Sequence, residues 1–145
     1  MLDIDDFKRV NDTYGHSVGD YLLRKTGETL IDIFGKDNSY RYGGDEFMVI
    51  LPDVEEESFK EFITKLEKQL NEIHLENRKM AIHFSGGYVY GQTLLQDDLR
   101  LMLRQADELL YKAKAAGKNA FIGERYNRAT AESIIKRTGE SFRHG

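Results

Sequence analysis

Two glycines followed by two acids, in Arg41-Tyr42-Gly43-Gly44-Asp45-Glu46-Phe47, make the segment of this chain best suited to chemistry. Glycine lets a ligand or another backbone come close, and adjacent carboxylates at a turn can meet a hard cation. The same heptapeptide also fits a solvated Gly-Gly turn followed by two surface acids. A second cluster is Asp3-Ile4-Asp5-Asp6-Phe7-Lys8-Arg9-Val10-Asn11-Asp12. A carboxylate at a strand's end can share a metal with one on a neighbouring hairpin. Mg²⁺ suits such a pair, because one or two carboxylates hold it while substrate phosphates complete its shell. Lys8 is placed to neutralise phosphate charge. As an exposed lysine beyond a strand that ends in a polar loop, it needs no such role.

A third cluster runs from Asn11 through His16 to Asp20. Ser17 and Asp20 match the Ser-x-x-Asp capping pattern, which would account for both. A functional reading sets Asn11 and Asp20 on a guanine edge. A carboxylate accepts from guanine N1–H and its exocyclic amine, whereas adenine has no donor at N1. His16 alone reads as an ordinary hydrogen-bonding residue. Lys112, Lys114 and Lys118 surround the end of a helix, where the dipole favours cations with or without a bound phosphate.

These residues need elements to hold them. Met1 to Asp5 alternates like the end of a strand. Val18, Leu22, Thr26, Leu30 and Ile33 predict a helix over 17–34, closed by Gly35. Ser39 to Pro52 reads as a hairpin about Gly43-Gly44. Glu55 to Glu76 predicts a second helix, with Phe59, Phe62, Ile63, Leu66, Leu70 and Ile73 inward. Met80 to Gly91 predicts a strand with a bend or close backbone approach at Gly86-Gly87. Asp97 would cap a third helix through Leu99, Met102, Leu103, Ala106, Leu110 and Ala113, ended by Gly117. A short strand, Ala120 to Ile122, would close a domain over 1–122, leaving 123–145 as a tail or linker.

At 145 residues, 40% apolar and 32% charged, the chain is sized for one packed, soluble domain. The formal net charge of −4 argues against non-specific nucleic-acid binding. The absence of cysteine excludes disulfides and thiolate metal sites. No apolar run approaches the roughly 18–20 residues of a membrane span, so a cytoplasmic domain without membrane contact is expected.

Taken together, four segments in order resemble the GGDEF family of diguanylate cyclases. They are Asp3-Ile4-Asp5-Asp6-Phe7-Lys8, Asn11 to His16 with Gly19-Asp20, the Arg41 to Phe47 signature, and Ala106-Asp107 through Tyr111 to Lys114. The resemblance spans Asp3 to Ile122. It implies an α+β, palm-like fold of the nucleotide-cyclase type: a ferredoxin-related, mostly antiparallel sheet flanked by helices. It also implies a homodimer in which two domains, each carrying one GTP, meet head to head and make cyclic di-GMP. By position, Asp3, the backbone carbonyl of Ile4, and Asp45 would ligate Mg²⁺ (Mn²⁺ being the alternative ion), with Glu46 at a second metal position. Asp45 would also accept the 3′-hydroxyl proton, unless the metal itself acidifies that hydroxyl. Lys8 would steady charge on the transferring phosphoryl group. Asn11, His16 and Asp20 match substrate-binding positions, and Lys114 and Lys118 match the triphosphate pair. A sensory or regulatory domain would precede this one in the parent protein. The alternative is a catalytically weak GTP-binding regulatory module, or an assembly fragment.

Three departures accompany the resemblance. Lys118 stands where arginine is usual, so bidentate phosphate contact is lost. Phe34-Gly35-Lys36-Asp37 occupies the place of the family's Arg-x-x-Asp product-inhibition motif. Phe34 supplies no guanidinium, so inhibition should be lost and an arginine at 34 should restore it. The helices and most of the first strand that precede Asp3 in the family are missing. This predicts a gap in the sheet interior, to be filled by a strand from another copy or, less readily, by the tail.

Overall fold

The computed structural model describes residues 1–75 and 81–142. Glu76 and Met80, which bound two of the expected elements, lie outside them. Five strands are present: β1 (Leu2–Ile4), β2 (Ser39–Arg41), β3 (Glu46–Val49), β4 (Phe84–Tyr90) and β5 (Phe121–Arg125). They hydrogen-bond in the order β2-β3-β1-β4-β5. The helices flanking them are α1 (Phe7–Tyr14), α2 (His16–Phe34), α3 (Glu56–Asn71), α4 (Asp98–Ala115) and α5 (Arg128–Thr138). This is the helix-flanked mixed sheet that the motifs imply. The chain divides into two compact units, Asp3–Phe84, and Met1–Leu2 with the stretch from Ser85 onward.

In the first unit, α2 buries Leu22, Thr26, Leu30 and Ile33, the apolar spacing of its sequence. Each fully buried leucine contributes roughly 1.5–3 kcal/mol. Gly35 ends the helix at φ 93, with its N–H on the Ile31 carbonyl. A short 3₁₀ turn, Lys36–Asn38, leads into the β2–β3 hairpin, where Ser39 faces Val49 and Arg41 faces Phe47. Helix α3 buries Ile63, Leu66 and Leu70 but stops at Asn71, so Ile73 lies beyond it.

Two local expectations are corrected here. The segment after β1, a polar loop in the bland reading of Lys8, is a helix, α1. It buries Val10, with Phe7 and Tyr14 half-buried at helical spacing on either side, a stripe of barely two turns. Ser17 and Asp20 form no capping box. Helix α2 begins at His16 with Gly15 as its N-cap, and no side chain caps it.

The backbone of the first residues is paired. Met1 and Gly87 exchange both backbone hydrogen bonds, 3.0 and 2.8 Å, the mark of an antiparallel pair. Ile4 N–H reaches the Asp45 carbonyl at 3.4 Å, and Asp5 N–H reaches the His83 carbonyl at 2.9 Å.

In the second unit, β4 and β5 are parallel, Gly86 facing Phe121 through Tyr90 facing Arg125. A parallel pair needs a crossover, and α4 supplies it. Strand β4 runs unbroken through Gly86-Gly87, whose role is close approach rather than a bend. The compact structure also continues past residue 122, through β5 to Arg125 and then α5, where a tail was expected. Helix α5 buries only Ala131 and Ile134, so hydropathy gave little sign of it. Polar contacts hold it instead. Arg104, 1% exposed, donates to Asp107 Oδ2 at 3.2 Å, to the Gly139 carbonyl at 3.3 Å and to the Thr138 hydroxyl. Arg137 donates to Glu108 at 3.2 Å.

Asp97 occupies the N-cap position of α4, yet its side chain does not cap. Its carboxylate takes the Arg128 fork at 2.7 and 3.0 Å. The neighbouring Asp98 accepts from the backbone of Leu94 and Leu95 at 2.8 and 2.7 Å and from the Tyr126 hydroxyl at 2.6 Å. The Tyr126 hydroxyl, with those amides, holds the Asp98 carboxyl well below its usual range. Burial and the Asp98 charge push Tyr126 up from 10.0 to about 12.

The signs follow. Asp98 contributes stability above its unfolded pKa of about 3.9, and that contribution fades as pH falls through the lower folded value. Tyr126 contributes below 10.0, and its share fades as pH rises toward about 12. The melting-temperature difference between wild type and Tyr126→Phe should therefore be largest near neutrality. It should narrow on both flanks in a pH series of thermal melts, and a pH-independent difference would contradict the pairing.

Candidate active site

The site residues of the first unit come from four short pieces of chain. Asp3 and Ile4 end β1, and Asp3 is only 1% exposed. The bond from Ile4 N–H to the Asp45 carbonyl sets this strand end beside the tip of the β2–β3 hairpin. At that tip the Tyr42 and Gly43 amides both donate to the Glu46 carbonyl, at 2.9 and 3.4 Å. Glu46 is buried, with its Oε2 so near Gly43 that a Cβ there would stand 3.3 Å from it. Gly43 therefore leaves room for the carboxylate to fold back over the turn. Asp45 is half-buried at the opening.

Sequence reasoning assigned Arg41 no role. Its guanidinium spans the turn, Nε donating to the Gly43 and Gly44 carbonyls at 3.3 and 3.1 Å and Nη2 to Gly44 at 2.7 Å. It thereby braces the loop that carries Asp45. The available signal was a long cation two residues before a glycine pair, a spacing that lets it reach carbonyls across a turn.

Lys8 is exposed in the first turn of α1, and Asn11 is half-buried in its last turns. His16 opens α2, and Asp20 follows one turn later; both are exposed. With the capping box gone, Asp20 has no local structural duty at the helix start. Asn11 Oδ1 is buried and accepts no hydrogen bond among the described residues. Lys114 and Lys118 belong to the second unit, at the end of α4. There the Lys118 N–H bonds the Ala113 carbonyl at 3.0 Å, and Lys118 is left-handed at φ 65. The structure thus brings Asp3, Ile4, Asp45 and Glu46 to one strand end and Asn11 and Asp20 to one helix corner.

A hard cation fits the donors at the strand end: carboxylates and a carbonyl, all oxygen. Among the described residues no group of three or more His, Asp or Glu side chains forms a complete metal cage. Mg²⁺ does not require one, because it keeps waters and takes phosphate oxygens.

Phe34 is 6% exposed and meets Phe62 edge to face, ring centroids 5.9 Å apart. An arginine there would be a buried cation in an aromatic contact between α2 and α3. Restoring the guanidinium would thus cost packing, which the sequence did not reveal.

Comparison with known proteins gives a consistent picture. A family model described as diguanylate cyclase, GGDEF domain, matches residues 1–120. The diguanylate cyclase DosC of Shigella sonnei (strain Ss046) is 30% identical over 125 residues, which cover 82% of this chain and 26% of DosC. The chain thus spans about a quarter of the length of that curated relative. The GGDEF domain of DgcB from Caulobacter crescentus, solved in complex with c-di-GMP, superposes with a TM-score of 0.72 at 27% identity. That match covers 84% of this chain and 74% of the other. The active GGEEF domain of a diguanylate cyclase from Vibrio cholerae superposes with a TM-score of 0.70 at 26% identity, covering 87% and 80%. Among the described residues, no helix is long and apolar enough to cross a membrane.

Proposed function

Since the chain belongs to the diguanylate cyclase GGDEF-domain family, we propose that it binds GTP with Mg²⁺ and, as a homodimer, joins two GTP into cyclic di-GMP. The observation that supports this reading is the backbone bond from Ile4 N–H to the Asp45 carbonyl, which joins the strand end that carries Asp3 to the hairpin tip. Asp3, the Ile4 carbonyl and Asp45 hold the metal, and Glu46 serves a second metal position. When bound, the ion neutralises phosphate charge and lowers the pKa of a nearby hydroxyl.

The chain's own residues do the rest. Asp45 accepts the proton of the 3′-hydroxyl. The freed oxygen forms a bond to the α-phosphorus of the partner's GTP, the bridging bond to the β-phosphate breaks, and pyrophosphate leaves. A second, symmetric attack closes the ring. Lys8 offsets charge growing on the phosphoryl group, a role suited to a reaction in which positioning and electrostatics dominate. Asn11 and Asp20 face the guanine edge, His16 supports the bound nucleotide, and Lys114 and Lys118 meet the triphosphate. Lys118 binds as a point charge, less selectively than an arginine fork. With Phe34 in the hydrophobic core, the product-inhibition site is lost. The domain works in the cytoplasm, under the control of a regulatory domain.

Incubation with GTP and Mg²⁺, with products resolved by mass, tests this reading. Cyclic di-GMP and pyrophosphate are expected. GTP that is bound but unconverted would favour the alternative, a regulatory GTP-binding module.

A further inference from the structure

Helices α1 and α2 meet at a corner built on Gly15, which ends one and begins the other at φ 91. The Gly15 N–H bonds the Asn11 carbonyl at 2.8 Å, and the Gly19 N–H bonds the Gly15 carbonyl at 3.4 Å. This chain of bonds folds the last turn of α1 against the first turn of α2. A Cβ built on Gly19 would stand 1.8 Å from Asn11 Oδ1, 2.8 Å from Asn11 Cγ and 3.2 Å from Phe7 Cζ. The Asn11 carboxamide thus fills the space that any other residue at 19 would claim for its own side chain.

We infer that Gly19 is a positioning residue for nucleotide selection: its bare Cα is the seat that holds the Asn11 carboxamide beside Asp20. The inference rests on the proposed reading of Asn11 as a guanine contact.

Three physical points support it. Gly19 lies at the end of the first turn of α2, where glycine is a poorer helix former than alanine, so helix propensity alone does not favour it. Its φ is not in the left-handed region, so conformational freedom does not require glycine either. The atoms that an alanine methyl would strike hardest are the tip of a flexible asparagine, which turns aside at little cost, while Phe7 need give by only a few tenths of an ångström. Gly19→Ala should therefore displace Asn11 and leave the fold standing.

The test compares wild type, Gly19→Ala, Asn11→Ala and the double variant. Binding of a non-hydrolysable GTP analogue and of its ATP counterpart is measured, together with thermal melting. Gly19→Ala should weaken the GTP analogue roughly tenfold, the size of one lost hydrogen bond, and shrink the preference over ATP. Its melting temperature should be unchanged or higher. The double variant should bind no more weakly than Asn11→Ala, because the glycine acts only through the asparagine.

Wild-type binding by Gly19→Ala, with Asn11→Ala impaired, would overturn the inference and leave the guanine reading intact. Additive losses in the double variant, or a clear drop in melting temperature for Gly19→Ala, would also overturn it, making Gly19 a packing residue. Wild-type binding by Asn11→Ala would remove the guanine role of Asn11, and this inference with it.

Discussion

Asp45→Asn is expected to abolish the proposed cyclisation of GTP while the protein melts at its wild-type temperature. The amide copies the shape of the carboxylate, and the contact that Asp45 makes to β1 uses its backbone carbonyl, which accepts from Ile4 N–H and is untouched. The change removes one negative charge from the tip of the hairpin. That charge has two proposed duties, holding Mg²⁺ beside Asp3 and accepting the 3′-hydroxyl proton. General-base losses alone run to about 10²–10⁴-fold, and loss of a metal ligand adds to them. We expect turnover to fall by at least about 10³-fold. GTP consumption at saturating Mg²⁺, with a thermal melt alongside, reads both sides of the prediction. Near-normal turnover would remove Asp45 from the mechanism. Loss of turnover with a lowered melt would instead make it a structural residue of the turn.

The largest effect on stability is expected at Gly87. A Cβ on Gly87 would stand 2.2 Å from the Ala106 carbonyl oxygen and 2.3 Å from the Leu110 nitrogen. Those two atoms are four residues apart in α4, where the carbonyl of one turn accepts the N–H of the next. The methyl would be driven into a helix hydrogen bond. Neither wall can yield cheaply, because both are backbone and Gly87 is itself tied to Met1 through two hydrogen bonds. Gly87→Ala should destabilise by about 3 kcal/mol or more, against a whole-domain stability of roughly 5–15 kcal/mol. Denaturant titration of the purified variant measures it, and a midpoint equal to wild type would show that α4 does not lie this close to β4. Gly19 makes the contrast plain. There the blocked space holds a side-chain tip, so the same substitution should move function and spare stability.

Much of the site was legible because its signals are local. A glycine pair before two acids needs no distant residue to be read as a turn carrying carboxylates, and Asp3 to Lys8 reads as a strand end next to a cation. Helix α2 was legible from Leu22, Thr26, Leu30 and Ile33, since one face of a helix repeats within a short window. The combination of motifs pointed to the family before any fold was seen, and the family model over residues 1–120 agrees.

What the sequence left open are the choices in which distant residues supply the partners. Helix α1 is barely two turns long, so its apolar spacing of Phe7, Val10 and Tyr14 is too brief to mark it. Ser17 and Asp20 fit a cap by spacing, but Gly15 takes the helix start and both residues fall inside the helix. Phe34 looked like a simple loss of arginine until Phe62 appeared against its ring. Helix α4 is the clearest case. Its sequence put Leu99 inward, yet Leu99 is 43% exposed, while Arg104, Gln105, Asp107 and Glu108 are buried. Arg104, Gln105 and Glu108 are covered by polar partners on β5 and α5, among them Glu124, Thr138 and Arg137, and Asp107 accepts from Arg104. Burial of a charge is decided by whether its partner arrives. That partner lies some twenty to thirty-five residues along the chain, where no local periodicity can announce it.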